Sequence, residues 1–164
     1  MSLPIGERAV NVARSKIGQR EIGGPNQGPI VEWSTQGLPV YQDAPRWCAY
    51  FVSQCYRFAA ESDDEERAVM RFAHGRVSVL WTRLAAQDVT QPWTWLTPSP
   101  DGRPLPEPRA GDLVFFGGLH HVRLVESFGG GWLHMIGGNE GNAVRRSRLP
   151  INDPTIHGFS TVRI

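Results

Sequence analysis

The sequence predicts an α+β domain, with N-terminal helices packed on a C-terminal antiparallel β-sheet. Apolar residues recur at helical spacing through the first half of the chain. In the second half they form short runs or alternate, with glycine-rich turns between them. Helices first and strands afterwards point to segregated layers rather than a βαβ alternation. At 164 residues, 40% hydrophobic and 20% charged, the chain fits one globular domain over residues 1–164.

The first helix is expected over residues 7–19, where Ala9, Val10, Ala13 and Ile17 share one face. "EIGGPNQGP" then breaks it, because its glycines and prolines demand a loop. A short helix is expected over 29–35, followed by a loop to Ala44. The best-signalled element is a helix over 45–60. Pro45 suits its first turn and Asp43 favours its positive end. Cys48, Phe51, Val52, Cys55 and Ala59 form its apolar stripe. The acidic run 63–66 reads as a solvated turn, and a further helix is expected over 78–86 with Ser78 as its cap. Residues 91–108 carry six prolines, which exclude regular structure there. Strands follow in "GDLVFFG", "HVRLVESF", "WLHMIGG", "AVRRSRL" and "HGFSTVRI", the second and third joined as a hairpin by Gly129, Gly130 and Gly131.

A net charge of +1 gives no basic excess of the kind nucleic-acid binders show. The N-terminal stretch has no apolar signal core, and the longest apolar run, 113–119, is too short to span a bilayer. The expectation is a monomer made in the cytoplasm, with neither nucleic acid nor membrane as partner.

Both cysteines lie in "DAPRWCAYFVSQCYRFAA". On one helix, seven residues separate them by roughly 10 Å of rise, whereas a disulfide needs Cα atoms within about 7 Å. No C-x-x-C or H-x-x-x-H spacing supports a metal site. Cys55, two turns inside the helix, reads as core. Cys48 fits the core stripe too, but it also sits in the first turn. There, unpaired backbone N–H groups and the helix dipole favour a thiolate, and the same donors suit an oxyanion. A base would come from His120 or His121, which point to opposite faces at a strand start, so periodicity leaves the choice open. His74 and His157 read as structural or surface residues. A group to fix the imidazole tautomer is available in "GGNEGN", although that string is also ordinary turn chemistry. Cysteine on a helix, with histidine and asparagine on a sheet, makes a papain-like arrangement.

These segments resemble CHAP domains, the cysteine, histidine-dependent amidohydrolases/peptidases. "WCAYFVSQC" resembles their nucleophile motif and "PRAGDLVFF" the segment before their histidine strand. "HHV" resembles their "GHV", "GGNEGNAV" their third-residue motif, and "GGPNQGPIVEW" the N-terminal loop of one bacterial and phage branch. The resemblance implies a papain-like fold with Cys48 as nucleophile, His121 as general base and Asn139 as orienting residue. Some members use a glutamate one or two places earlier, where Gly137 and Gly138 stand here, and Glu140 is the reserve for that role. His120 replaces a usual glycine. The implied reaction is amide cleavage in peptidoglycan, as a muramoyl-alanine amidase or a stem or crossbridge endopeptidase, with no metal or organic cofactor. Trp47, Trp93, Trp95 and Asn26 are the candidate substrate-binding residues, the two later tryptophans because a long ordered loop often borders a site. The implied setting is the bacterial wall or periplasm, reached as a phage lysin or as a secreted effector with an immunity protein as partner. The rival readings are a non-catalytic wall-binding module and a thiol deamidase or protease acting on protein.

Overall fold

The structure, a computed structural model, describes residues 2–43, 45–86, 107–162 and 164. Five helices precede five strands: α1 (Ile5–Lys16), α2 (Pro29–Thr35), α3 (Cys48–Ala59), α4 (Asp63–Phe72), α5 (Val77–Ala85), then β1 (Leu113–Phe116), β2 (His121–Gly129), β3 (Trp132–Gly137), β4 (Arg145–Pro150) and β5 (Ile156–Ser160). The strands form one antiparallel sheet in the order β4-β3-β2-β1-β5. The expected α+β layering and all five expected strands are present.

Helix α3 is the hub. It packs against the other four helices and against β2 and β3. All of its residues except Arg57 and Phe58 are buried, so the single apolar stripe read from the sequence is too narrow. A helix enclosed on every side needs apolar or small residues around its circumference. The sheet is apolar on both faces. Leu113, Phe115, Val122, Leu124 and Ile136 join the helical core, while Val114, Phe116, Val125, Leu133, Met135, Ile156 and Phe159 form a second cluster. Every residue of the short β1 is buried, as its unbroken apolar run implies for an inner strand.

Three local expectations need correction. Helix α3 starts at Cys48 rather than Pro45, with Trp47 as its N-cap and the Phe51 N–H bonded to the Trp47 carbonyl at 2.8 Å. This places Cys48 itself at the first helical position. The acidic run 63–66 is not a turn but the first turn of α4. Ser62 accepts the Glu65 N–H at 3.2 Å, and Glu65 reaches back to the Glu61 N–H at 2.7 Å. Four carboxylates there also complement the positive end of the helix. Helix α5 starts at Val77, with Arg76 rather than Ser78 at its cap. Among the described residues, no helix is long and apolar enough to cross a membrane.

The N-terminal helix is seated by a glycine contact. Gly111, at φ 95°, brings its Cα against Gly6 of α1, and the Tyr56 hydroxyl donates to the Gly111 carbonyl. A Cβ at Gly111 would lie 2.3 Å from the Gly6 Cα, backbone against backbone, so neither side can give by a rotamer change. Gly111→Ala is expected to lower unfolding free energy by about 2–4 kcal/mol, read from urea denaturation, because overpacking adds to left-handed strain. An unchanged midpoint would show that the α1 contact is dispensable.

Candidate active site

Cys48 reaches the site from the start of α3, and His121 from the first residue of β2. The Cys48 side chain lies close enough to the His121 ring to raise its pKa. On the other side of the ring, His121 Nε2 lies 2.6 Å from Glu140 Oε1. With Nε2 engaged by the carboxylate, Nδ1 is the ring nitrogen left for the sulfur. Cys48 is only 3% exposed, yet it lines a cavity of about 230 Å³ together with His120, so the thiol is not sealed in the core. His120 is exposed and His121 half-buried, which separates the two adjacent histidines.

Glu140 is itself held. Arg123 Nη2 donates to Glu140 Oε2 at 3.0 Å, and Arg123 Nε donates to Oε1. The Arg123 guanidinium also stands over the Phe116 ring, 4.6 Å from its centroid. A forked arginine fixes the carboxylate plane, and the carboxylate fixes the imidazole. Arg123 was not singled out from the sequence. Its position two residues after His121 on a strand, hence on the same face, is the signal that locates it.

Electrostatics follow from this array. Burial works against a charged His121, but hydrogen bonds to Cys48 and Glu140, and then their charges, outweigh it and raise His121 from 6.5 to about 9. Burial likewise works to raise Glu140, but hydrogen bonds from His121 and Arg123 prevail and hold it below the ordinary carboxylate range. Both shifts favour a charged imidazolium beside the Glu140 carboxylate.

The turn after β3 decides which residue reaches the histidine. Asn139, Gly141 and Asn142 all adopt left-handed backbone, with φ of 58°, 56° and 66°. The Glu140 N–H closes the turn on the Ala143 carbonyl at 2.9 Å. This geometry sends the Asn139 amide to Asn26 Oδ1 at 3.3 Å, not to His121, and brings Glu140 over the sheet instead. A Cβ built at Gly137 would lie 2.5 Å from Glu140 Oε1. The Glu140 carboxylate thus fills space that a side chain at position 137 would take, the place where some relatives of the resembled family carry their glutamate. The sequence expectation of Asn139 as the histidine's partner is corrected to Glu140.

Of the expected substrate-binding residues, Trp47 is structural here, while Asn26 is half-buried and braced by hydrogen bonds. Trp47 is fully buried, edge-on to Phe51, with its Nε1 donating to Glu21 Oε1 at 2.8 Å. A side chain facing the core beneath the helix start is no groove wall. Asn26 donates its backbone N–H to Glu21 Oε2 at 2.8 Å and accepts from Asn139. Glu21, for which the sequence offers no signal, thereby ties the loop before α2 to the base of α3. Its own N–H donates to the Asn142 carbonyl at 2.9 Å. Trp93 and Trp95 lie outside the described residues. Among the described residues, no group of three or more His, Cys, Asp or Glu is placed to hold a metal ion.

A helix-borne thiol facing a sheet-borne histidine and its acceptor defines the papain-like class of α+β fold, and solved structures of that class match the chain. The structure of Ly7917 matches with a TM-score of 0.52 at 16% identity over 95% of this chain and 62% of that one. The peptidoglycan hydrolase RipB from Mycobacterium tuberculosis matches with a TM-score of 0.51 at 19% identity over 96% of this chain and 64% of RipB. Ly7917 with the hydrolyzing product of MDP matches with a TM-score of 0.50 at 14% identity over 95% of this chain and 62% of that one. The chain spans less than two thirds of the length of these structures. At such identities the likeness establishes the fold. No protein-family model and no curated protein matches the sequence.

Proposed function

We propose that the protein is a cysteine amidohydrolase or peptidase that cleaves an amide bond in peptidoglycan, with Cys48 as nucleophile, His121 as proton carrier and Glu140 as the residue that orients it. The observation that carries this reading is the convergence on the His121 ring of Glu140, hydrogen-bonded to Nε2, and of Cys48, which raises the ring's pKa and itself lines an open cavity. The motif resemblance to CHAP domains supports it. So do the fold matches to RipB, a peptidoglycan hydrolase, and to Ly7917 holding the hydrolyzing product of MDP.

In the proposed reaction, the Cys48 sulfur attacks the amide carbonyl as a thiolate while His121 holds the proton. The tetrahedral oxyanion develops beside the first-turn backbone N–H groups of α3, which have no intrahelical acceptor. His121 protonates the departing amine as the C–N bond breaks, leaving a thioester on Cys48. His121 then takes a proton from water, which attacks the thioester and releases the acid product and the free thiol. Glu140 keeps the ring aligned and stabilises the imidazolium, and Arg123 holds Glu140 in turn.

Purified sacculi incubated with the protein should release soluble muropeptides. Mass spectrometry of the fragments, read for the new amine and carboxyl ends, would name the bond and separate amidase from endopeptidase. Sacculi that bind the protein without releasing fragments would indicate a binding module and overturn the proposal. Sacculi left untouched while a protein substrate loses ammonia would indicate a deamidase.

A further inference from the structure

The cavity that exposes Cys48 has a charge pattern that the reaction itself does not require. Arg46, two residues before the nucleophile, and Arg76, at the N-cap of α5, both line it, and no Asp or Glu among the described residues does. Both arginines are exposed, and neither guanidinium has a carboxylate partner among the described residues. Arg20, Arg71, Arg145 and Arg148 are also exposed without a carboxylate pair among the described residues, but Arg46 and Arg76 share one cavity with the Cys48 thiol. Arg76 is also set in place without a counter-charge. Its guanidinium stands over the Tyr41 ring, 5.3 Å from the centroid, and Tyr41 stacks on His74 with ring centroids 4.8 Å apart. A cation held over an aromatic face keeps its N–H fork free for a ligand.

We infer that this wall is a carboxylate subsite: Arg46 and Arg76 hold a free carboxylate of the substrate beside the carbonyl that Cys48 attacks. The inference rests on Cys48 as the nucleophile of the proposed reaction and adds the substrate class. The preferred substrate is an acyl peptide with an ionised carboxylate next to the scissile bond, discriminated from the same peptide bearing a carboxamide. Arginine suits this task because its planar donors match both carboxylate oxygens, and a partly enclosed cavity strengthens the attraction relative to open surface.

Alkylation of Cys48 tests the subsite without any wall substrate. Iodoacetate and iodoacetamide both form an S–C bond at the thiol and expel iodide, and they differ only in carboxylate against carboxamide. Rates at Cys48 are followed by peptide mass spectrometry on the full chain, and the ratio of the two within each variant cancels general changes in thiol reactivity. The iodoacetate preference should fall about tenfold from wild type to the Arg46→Gln/Arg76→Gln double variant, the loss expected of a charge-assisted contact. Arg76→Lys, which keeps charge but not the fork, should fall between. His121 favours the anionic reagent in every variant, so the change in ratio is the readout. If the double variant does not fold, the two single Gln variants supply the same comparison. A ratio unaffected by the arginines overturns the subsite while leaving the nucleophile assignment standing. Failure of both reagents to label Cys48 overturns that assignment and the subsite with it.

Discussion

Cys48→Ala is expected to abolish release of wall fragments, with turnover lower by roughly 10⁴-fold or more, because covalent catalysis loses its nucleophile. Cys55→Ala is the matched control and should retain turnover. Cys55 sits on the same helix but is fully buried, and burial pushes its thiol far above the ordinary range, so it cannot serve in place of Cys48. Its loss should be felt as a stability change of about 1–2 kcal/mol from the missing sulfur. The assay is dye release from labelled sacculi, alongside thermal unfolding of both variants. A folded Cys48→Ala protein that still solubilises walls at the wild-type rate would end the thiol mechanism.

Glu140→Gln should lower turnover by roughly 10²–10⁴-fold, as removal of the orienting carboxylate does in triads of this kind, whereas Asn139→Ala should keep most of the activity. The pH profile provides a second signature. In the folded protein His121 lies at about 9, above its ordinary 6.5, so the imidazolium and the stability it confers are fully present below 6.5 and are lost as pH rises through about 9. Wild-type kcat/KM should therefore decline on an alkaline limb near pH 9. Glu140→Gln removes an anion that raises His121 and leaves the Arg123 cation uncompensated beside it. Both changes move the limb to lower pH. An unmoved limb in Glu140→Gln, or a loss in Asn139→Ala as large as that in Glu140→Gln, would return the orienting role to Asn139.

The layering of this fold was legible because period decides it: helical spacing before residue 86, alternation and glycine turns after 110. Cys48 stood out for a related reason, since a helix start is marked by local residues. Helix α4 was readable too, in the Ser62-to-Glu65 capping spacing, but the four acids masked it as surface turn. The third residue of the site was not legible. Choosing Glu140 over Asn139 depends on successive left-handed residues in a tight turn and on vacant space above Gly137, and both emerge only when β3 lies against β2. Trp47 failed for another reason. An aromatic beside a nucleophile suggests a binding wall, yet its indole N–H finds a buried partner in Glu21, across a separation that no local pattern reveals.

The sulfur belongs to the helical half of the chain and the imidazole and carboxylate to the sheet half, while residues 18–21 are stitched to 142–144 through the Gly18, Glu21 and Val144 amides. A nascent chain emerging from a ribosome exposes its thiol long before the base that would arm it. The proposed hydrolytic activity should thus switch on only after β2 and β3 have emerged and the helical and sheet halves have docked, and a product terminated before β2 should lack it.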